Sequence, residues 1–94
     1  MHSSSLVTAA RLIVARNLTP NVAGVSVTFD GKCGHMVVSY YLHGPATDDD
    51  EEWRELTVGE LAGEFPEIRT ASSSFGSAEE MKDKEPETLV FVRA

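Results

Sequence analysis

The chain has 94 residues, fifteen acidic and eight basic, with a net charge of −7. That length makes one domain with one modest core; no apolar run reaches the ~18 residues of a membrane span, and the lone Cys33 excludes a disulfide scaffold or a Cys-rich zinc site. Residues 1–47 carry +2, residues 48–67 carry −8 and residues 68–94 carry −1, a distribution that disfavours nucleic acid and anionic membrane and favours a basic partner.

The start, Met1-His2-Ser3-Ser4-Ser5, lacks the basic opening of a secretory signal, so a cytoplasmic location is expected. Residues 5–18 are predicted helical, because Leu6, Ala10, Ile13 and Val14 recur at helical spacing. Ser3, Ser4 or Ser5 offers a cap, and Thr19-Pro20 ends the helix. Residues 22–29 are predicted as a strand: Ala23, Val25, Val27 and Phe29 alternate with Gly24, Ser26 and Thr28. Asp30-Gly31 then suits a two-residue type I′ turn, and residues 32–43 form the returning strand. That turn pairs Phe29 with Lys32, Val25 with Met36 and Ala23 with Val38, so the apolar faces coincide. The outer face would carry Ser26, Thr28, Cys33, His35, Val37, Ser39, Tyr41 and His43.

Gly44-Pro45 breaks the strand. Thr47 is a suitable N-cap, with Asp50 three positions on. Asp48, Asp49, Asp50, Glu51 and Glu52 crowd the first turns, where the helix dipole favours negative charge. Trp53, Thr57, Leu61 and Phe65, with Val58 beside them, form the buried stripe, and Arg54 lies in the same arc. Trp53 and Phe65 read as core anchors, and Gly59 and Gly63 as sites of close helix–sheet approach. The helix ends at Phe65-Pro66. Residues 67–74 read as a polar edge strand, residues 76–87, with Pro86, as a surface loop, and residues 88–93 as the final strand. The expected fold is α+β: an antiparallel sheet of about four strands with two helices on one face, in the order α-β-β-α-β-β.

Cys33 with His35 or His43 is the one arrangement with catalytic potential, as a thiolate–imidazole pair. It lacks a signalled pocket, oxyanion donor and orienting acid, so an ordinary sheet surface is the better reading and the chain is not expected to be an enzyme. Cys33, His35 and His43 match no common metal-ligand spacing. Asp48 to Glu52 lack the glycine and distal glutamate of a calcium loop. No cofactor is implied. Nine acids in residues 48–67 exceed what a helix start requires, which suits a docking surface for a basic protein or equally a solvated face that keeps the chain soluble. Tyr41, expected on the outer sheet face, is a candidate anchor. A homodimeric structural module pairing through residues 67–74 is a further alternative.

A set of short strings runs through the chain. Leu18-Thr19-Pro20-Asn21-Val22 leads into Val25-Ser26-Val27, and a strand ends on Tyr40-Tyr41-Leu42-His43-Gly44. Pro45-Ala46-Thr47-Asp48-Asp49-Asp50 follows, then Gly59-Glu60, Glu64-Phe65-Pro66-Glu67 and Val90-Phe91-Val92-Arg93. Residues 10–94 thereby resemble small bacterial immunity proteins of contact-dependent growth inhibition and related polymorphic toxin loci. Here His43-Gly44-Pro45-Ala46-Thr47 stands where that group has an aspartate-glycine-glutamate-proline-threonine turn. The resemblance implies a non-enzymatic inhibitor, monomeric when free, that binds a toxin domain, often a nuclease, and covers its active or substrate-binding surface. Asp48, Asp49, Asp50, Glu51, Glu52 and Glu55 would take the places of phosphates, with Tyr41 and His43 as a central anchor.

Overall fold

The computed structural model describes residues 3–84 and 88–93, with side chains from Ser5 onward. Helix α1 spans Ser3–Arg16 and buries Leu6, Ala10, Ile13 and Val14, the predicted stripe. The helix begins at Ser3, so Ser3, Ser4 and Ser5 lie within it rather than capping it from outside; His2 and the predicted loop residue Pro86 lie outside the described residues.

Strands β1 (Val22–Asp30) and β2 (His35–Leu42) form the expected hairpin, but with a different register. Phe29 pairs with Met36, Val27 with Val38 and Val25 with Tyr40. The connection is residues 31–34, not a two-residue turn. The Asp30 side chain accepts from Lys32 N at 2.9 Å, and Gly34 N donates to Asp30 O at 2.8 Å. Gly34, at φ 70°, is the residue whose conformation requires glycine. Each partner is displaced four residues from the predicted pairing, an even step that keeps inward faces inward. Val22 pairs with Leu42 and Gly24 with Tyr41, so Ala23 is bulged.

Helix α2 spans Asp48–Glu64, 17 residues. At 1.5 Å per residue it is about 25 Å long. Strand β2, at eight residues, measures about 26 Å. The helix therefore returns the chain to the start of β2, and the next strand must run parallel to it. That strand, β3 (Thr70–Ser77), pairs in parallel from His35↔Thr70 to Leu42↔Ser77. A four-residue helix, α3 (Ala78–Met81), follows with its own capping box from Ser77 and Glu80. Strand β4 (Leu89–Val92) pairs antiparallel with β1. The sheet order is β3-β2-β1-β4. The α+β class stands, but the sheet is mixed rather than antiparallel, and the order is α-β-β-α-β-α-β.

The core lies between the sheet and the pair α1 and α2. Val25, Val27, Met36, Val38, Tyr40 and Leu42 meet Ala10, Val14 and Leu61 there. Phe65 packs against this cluster, whereas Trp53 is half-buried and outside it. Gly59 and Gly63 do not approach the sheet; a side chain at either would meet nothing within 4 Å. Arg54 stacks on Phe75 of β3, its guanidinium carbon 4.2 Å from the ring centre, a cation–π contact that accounts for a base inside the apolar arc.

The third helix sits on the opposite sheet face. A Cβ at Gly24 would lie 2.1 Å from Met81 Sδ, and one at Gly76 would lie 3.0 Å from the Tyr41 ring. These two glycines let α3 close over Tyr41.

Candidate functional site

The chain from β2 into α2 is held by four side chains, those of Thr19, Asn21, Thr47 and Asp50. Asn21 Oδ1 accepts from Gly44 N at 2.9 Å, and its Nδ2 donates to Pro45 O at 3.0 Å and to Asp50 Oδ2 at 2.9 Å. Thr19 Oγ1 donates to Asp50 Oδ1. Asp50 Oδ2 also accepts from Thr47 N at 2.9 Å, while Asp50 N donates to Thr47 Oγ1 at 3.2 Å. The predicted capping box is present, and two residues of the α1–β1 connection extend it. Burial pushes the Asp50 carboxyl up, but hydrogen bonds from Thr19, Asn21 and Thr47 outweigh it and hold the group below its ordinary value.

A second buried network fixes the middle of the helix. Thr57 Oγ1 donates to Trp53 O at 3.0 Å and lies 2.6 Å from Tyr40 Oη. Asn17 Nδ2 donates to Thr57 Oγ1 at 3.1 Å and to Glu60 Oε1 at 3.2 Å. Burial raises the Tyr40 hydroxyl above its ordinary value, the Thr57 bond opposing and Glu60 adding to the shift. Asn17 and Thr57 are buried polar groups whose hydrogen bonds make that burial tolerable.

Between these fixed points α2 presents acids to solvent. Asp48, Glu51, Glu52, Glu55 and Glu60 line one shallow depression together with Leu56 and Gly59. The spacing of three and four residues places them on one helix face. Leu56 is 42% exposed, an apolar point among carboxylates. Glu60 pairs with Arg16 Nη2 at 3.3 Å. Among the described residues, Asp48, Asp49, Glu51, Glu52 and Glu55 make no ion pair.

The predicted site residues therefore divide. Asp48, Asp49, Glu51, Glu52 and Glu55 are exposed, and so is His43, at the end of β2 nearest the α2 start. Asp50 is not: it is 0% exposed, with its carboxylate spent on the cap. Nor is Tyr41, which is 2% exposed beneath α3, its hydroxyl 3.1 Å from Ser26 Oγ. The expectation of an open outer sheet face fails there because the segment read as a loop contains α3. Leu56, Asn17 and the Thr19–Asn21 pair escaped the sequence reading. For Leu56 the signal was present, as an apolar residue off the buried stripe.

The residues of the thiol alternative are dispersed. Cys33 is exposed in the β1–β2 connection rather than on β2. His35 Nδ1 and Nε2 lie 2.7 and 3.1 Å from Thr70 Oγ1 and Ser72 Oγ. His43 lies at the far end of β2, about 26 Å from His35 by strand rise. Among the described residues no helix is long and apolar enough to cross a membrane.

No curated protein matches the chain. Over residues 4–94 it matches the MafI2 immunity protein family. That span takes in both networks and the acidic helix face, and the chain belongs to the MafI2 immunity protein family, as a small bacterial immunity protein of a toxin system.

Proposed function

We propose that the chain neutralises its cognate toxin, a nuclease, by laying the acidic face of α2 on the toxin's basic substrate-binding surface. Asp48, Asp49, Glu51, Glu52 and Glu55 take positions that phosphates would occupy, and His43 adds a contact at the same end. The chain acts as a cytoplasmic, non-enzymatic inhibitor and is monomeric when free. The observation that carries this reading is five exposed carboxylates without cationic partners on a helix start that Asp50 holds rigid. A surface of that kind steers a basic partner and loses little conformational freedom on docking. Contact-dependent growth inhibition is the delivery route the chain would protect against. Reversing charge with Asp49→Lys and Glu52→Lys is expected to slow association with the cognate toxin domain about tenfold at low salt. The salt dependence of the rate should flatten as well. An unchanged rate and slope would move the interface off α2.

A further inference from the structure

Strand β3 is an edge of the sheet, and its outer side is open. Thr70 N donates to Gly34 O at 3.2 Å, immediately ahead of the His35↔Thr70 pair that opens the β2–β3 ladder. Backbone groups alternate sides along a strand. Thr70, Ser72, Ser74 and Gly76 therefore face β2, and the N–H and C=O groups of Ala71, Ser73 and Phe75 face outward. Among the described residues nothing pairs with them.

Folded proteins blunt such edges with charge, proline, a bulge or short length. The opposite edge, β4, has four residues. Strand β3 has eight, Thr-Ala-Ser-Ser-Ser-Phe-Gly-Ser, with no charge and no proline, and its pairing with β2 runs without a bulge. Its outer-face hydroxyls are tied along the inner neighbour, by His35 to Thr70 and Ser72 and by Ser39 to Ser74 at 3.1 Å. The strand is thus held straight and left unguarded.

Two occupants could add a strand here. A second copy would pair β3 with β3 about a two-fold axis. Helix α2 packs against β3, so that dimer would bring two segments of net charge −8 alongside one seam. A basic partner meets the opposite situation. A strand added beside β3 would lie next to the element that α2 packs against, and a segment of net charge −8 attracts positive side chains.

We infer that β3 is the seam for strand addition by an extended basic segment of the toxin. The backbone of Ala71, Ser73 and Phe75 supplies the hydrogen bonds, and α2 supplies the charge selection. This rests on the toxin-binding function proposed above. Amide hydrogen exchange on the free chain and on its complex with the cognate toxin domain tests it. The Ala71, Ser73 and Phe75 amides should exchange quickly in the free chain and slow at least tenfold in the complex. Ser73→Pro removes an outward N–H without touching the β2 ladder. It should weaken toxin binding at least tenfold and leave the salt dependence of association unaltered. Fast exchange at these three amides in a complex that still responds to Asp49→Lys overturns the seam and leaves the α2 reading standing. Concentration-dependent protection in the free chain assigns the edge to a second copy and also overturns it. No complex at all overturns both readings. The exchange measurement uses the unmodified chain, so it decides the matter even where Ser73→Pro fails to fold.

Discussion

Replacing Asp50 by alanine should be among the most damaging changes available in α2, although four neighbouring acids are dispensable for folding. The carboxylate accepts from Thr19 Oγ1, Asn21 Nδ2 and Thr47 N. Hydrogen bonds to a charged group contribute about 1.5–3 kcal/mol each, and a stranded donor costs about 1–3 kcal/mol. Asn21 Nδ2 keeps Pro45 O as a partner, which removes one of the three from the loss. The Thr47 amide and the Thr19 hydroxyl remain, so Asp50→Ala should cost about 3–5 kcal/mol. A domain of this size has roughly 5–14 kcal/mol in total. Asp50→Asn is milder. Its amide can turn its oxygen toward Asn21 and Thr47 and its NH2 toward Thr19, losing the charge but not the pattern, for about 1–2 kcal/mol. Asp49→Ala, on the exposed side, should fall within about 0.5 kcal/mol of the parent. Urea unfolding followed by the fluorescence of Trp53 measures all three. At about 4–8 °C per kcal/mol, the alanine variant should also melt at least about 12 °C lower. An Asp50→Ala variant within 1 kcal/mol of the parent, or an Asp49→Ala variant equally damaged, would refute the assignment of Asp50 to the fold.

Acid should expose the same group. The folded-state pKa of Asp50 lies below its unfolded value, so the unfolded chain takes up the proton first. Its contribution is complete above the ordinary carboxylate value of about 3.9 and is lost as pH falls through the folded value. Asp50→Asn should therefore lose less stability than the parent between about pH 5 and pH 2, and parallel curves would contradict this. On the other sheet face, Gly24→Ala would put a methyl 2.1 Å from Met81 Sδ and 2.9 Å from Phe91 O. It should cost about 1–3 kcal/mol. Adding Met81→Ala should recover only part, since the backbone carbonyl stays. Full recovery in urea unfolding would show that Phe91 O yields.

Local chemistry explains what was legible in the sequence. The inward residues of the hairpin, the α1 stripe and the Thr47–Asp50 box all follow from spacing within one element. The register did not, because Asp30-Gly31 is a sufficient turn signal by itself, whereas Gly34, whose N–H closes the longer connection on Asp30 O, is also held through its carbonyl by Arg69 N from a distant segment. The parallel placement of β3 was implicit in the matching lengths of β2 and α2, a relation between elements that alternation within either does not express. At the candidate surface, exposure of the α2 acids followed from helical phase. Burial of Asp50 depended on Thr19 and Asn21, about thirty residues earlier in the chain. Tyr41 was misplaced for a similar reason: its cover, α3, is one polar turn with no apolar periodicity to announce it.

The position of Asp50 has an evolutionary consequence. In a run of five consecutive acids, one is hydrogen-bonded into the fold and four make no ion pair among the described residues. Under the proposed function, substitution at Asp48, Asp49, Glu51 or Glu52 would alter the pattern shown to a partner while the helix start stays where Thr19, Asn21 and Thr47 hold it. A lineage can thus follow a changing toxin by exchanging letters on a fixed mount, without drawing on the small stability of a 94-residue chain.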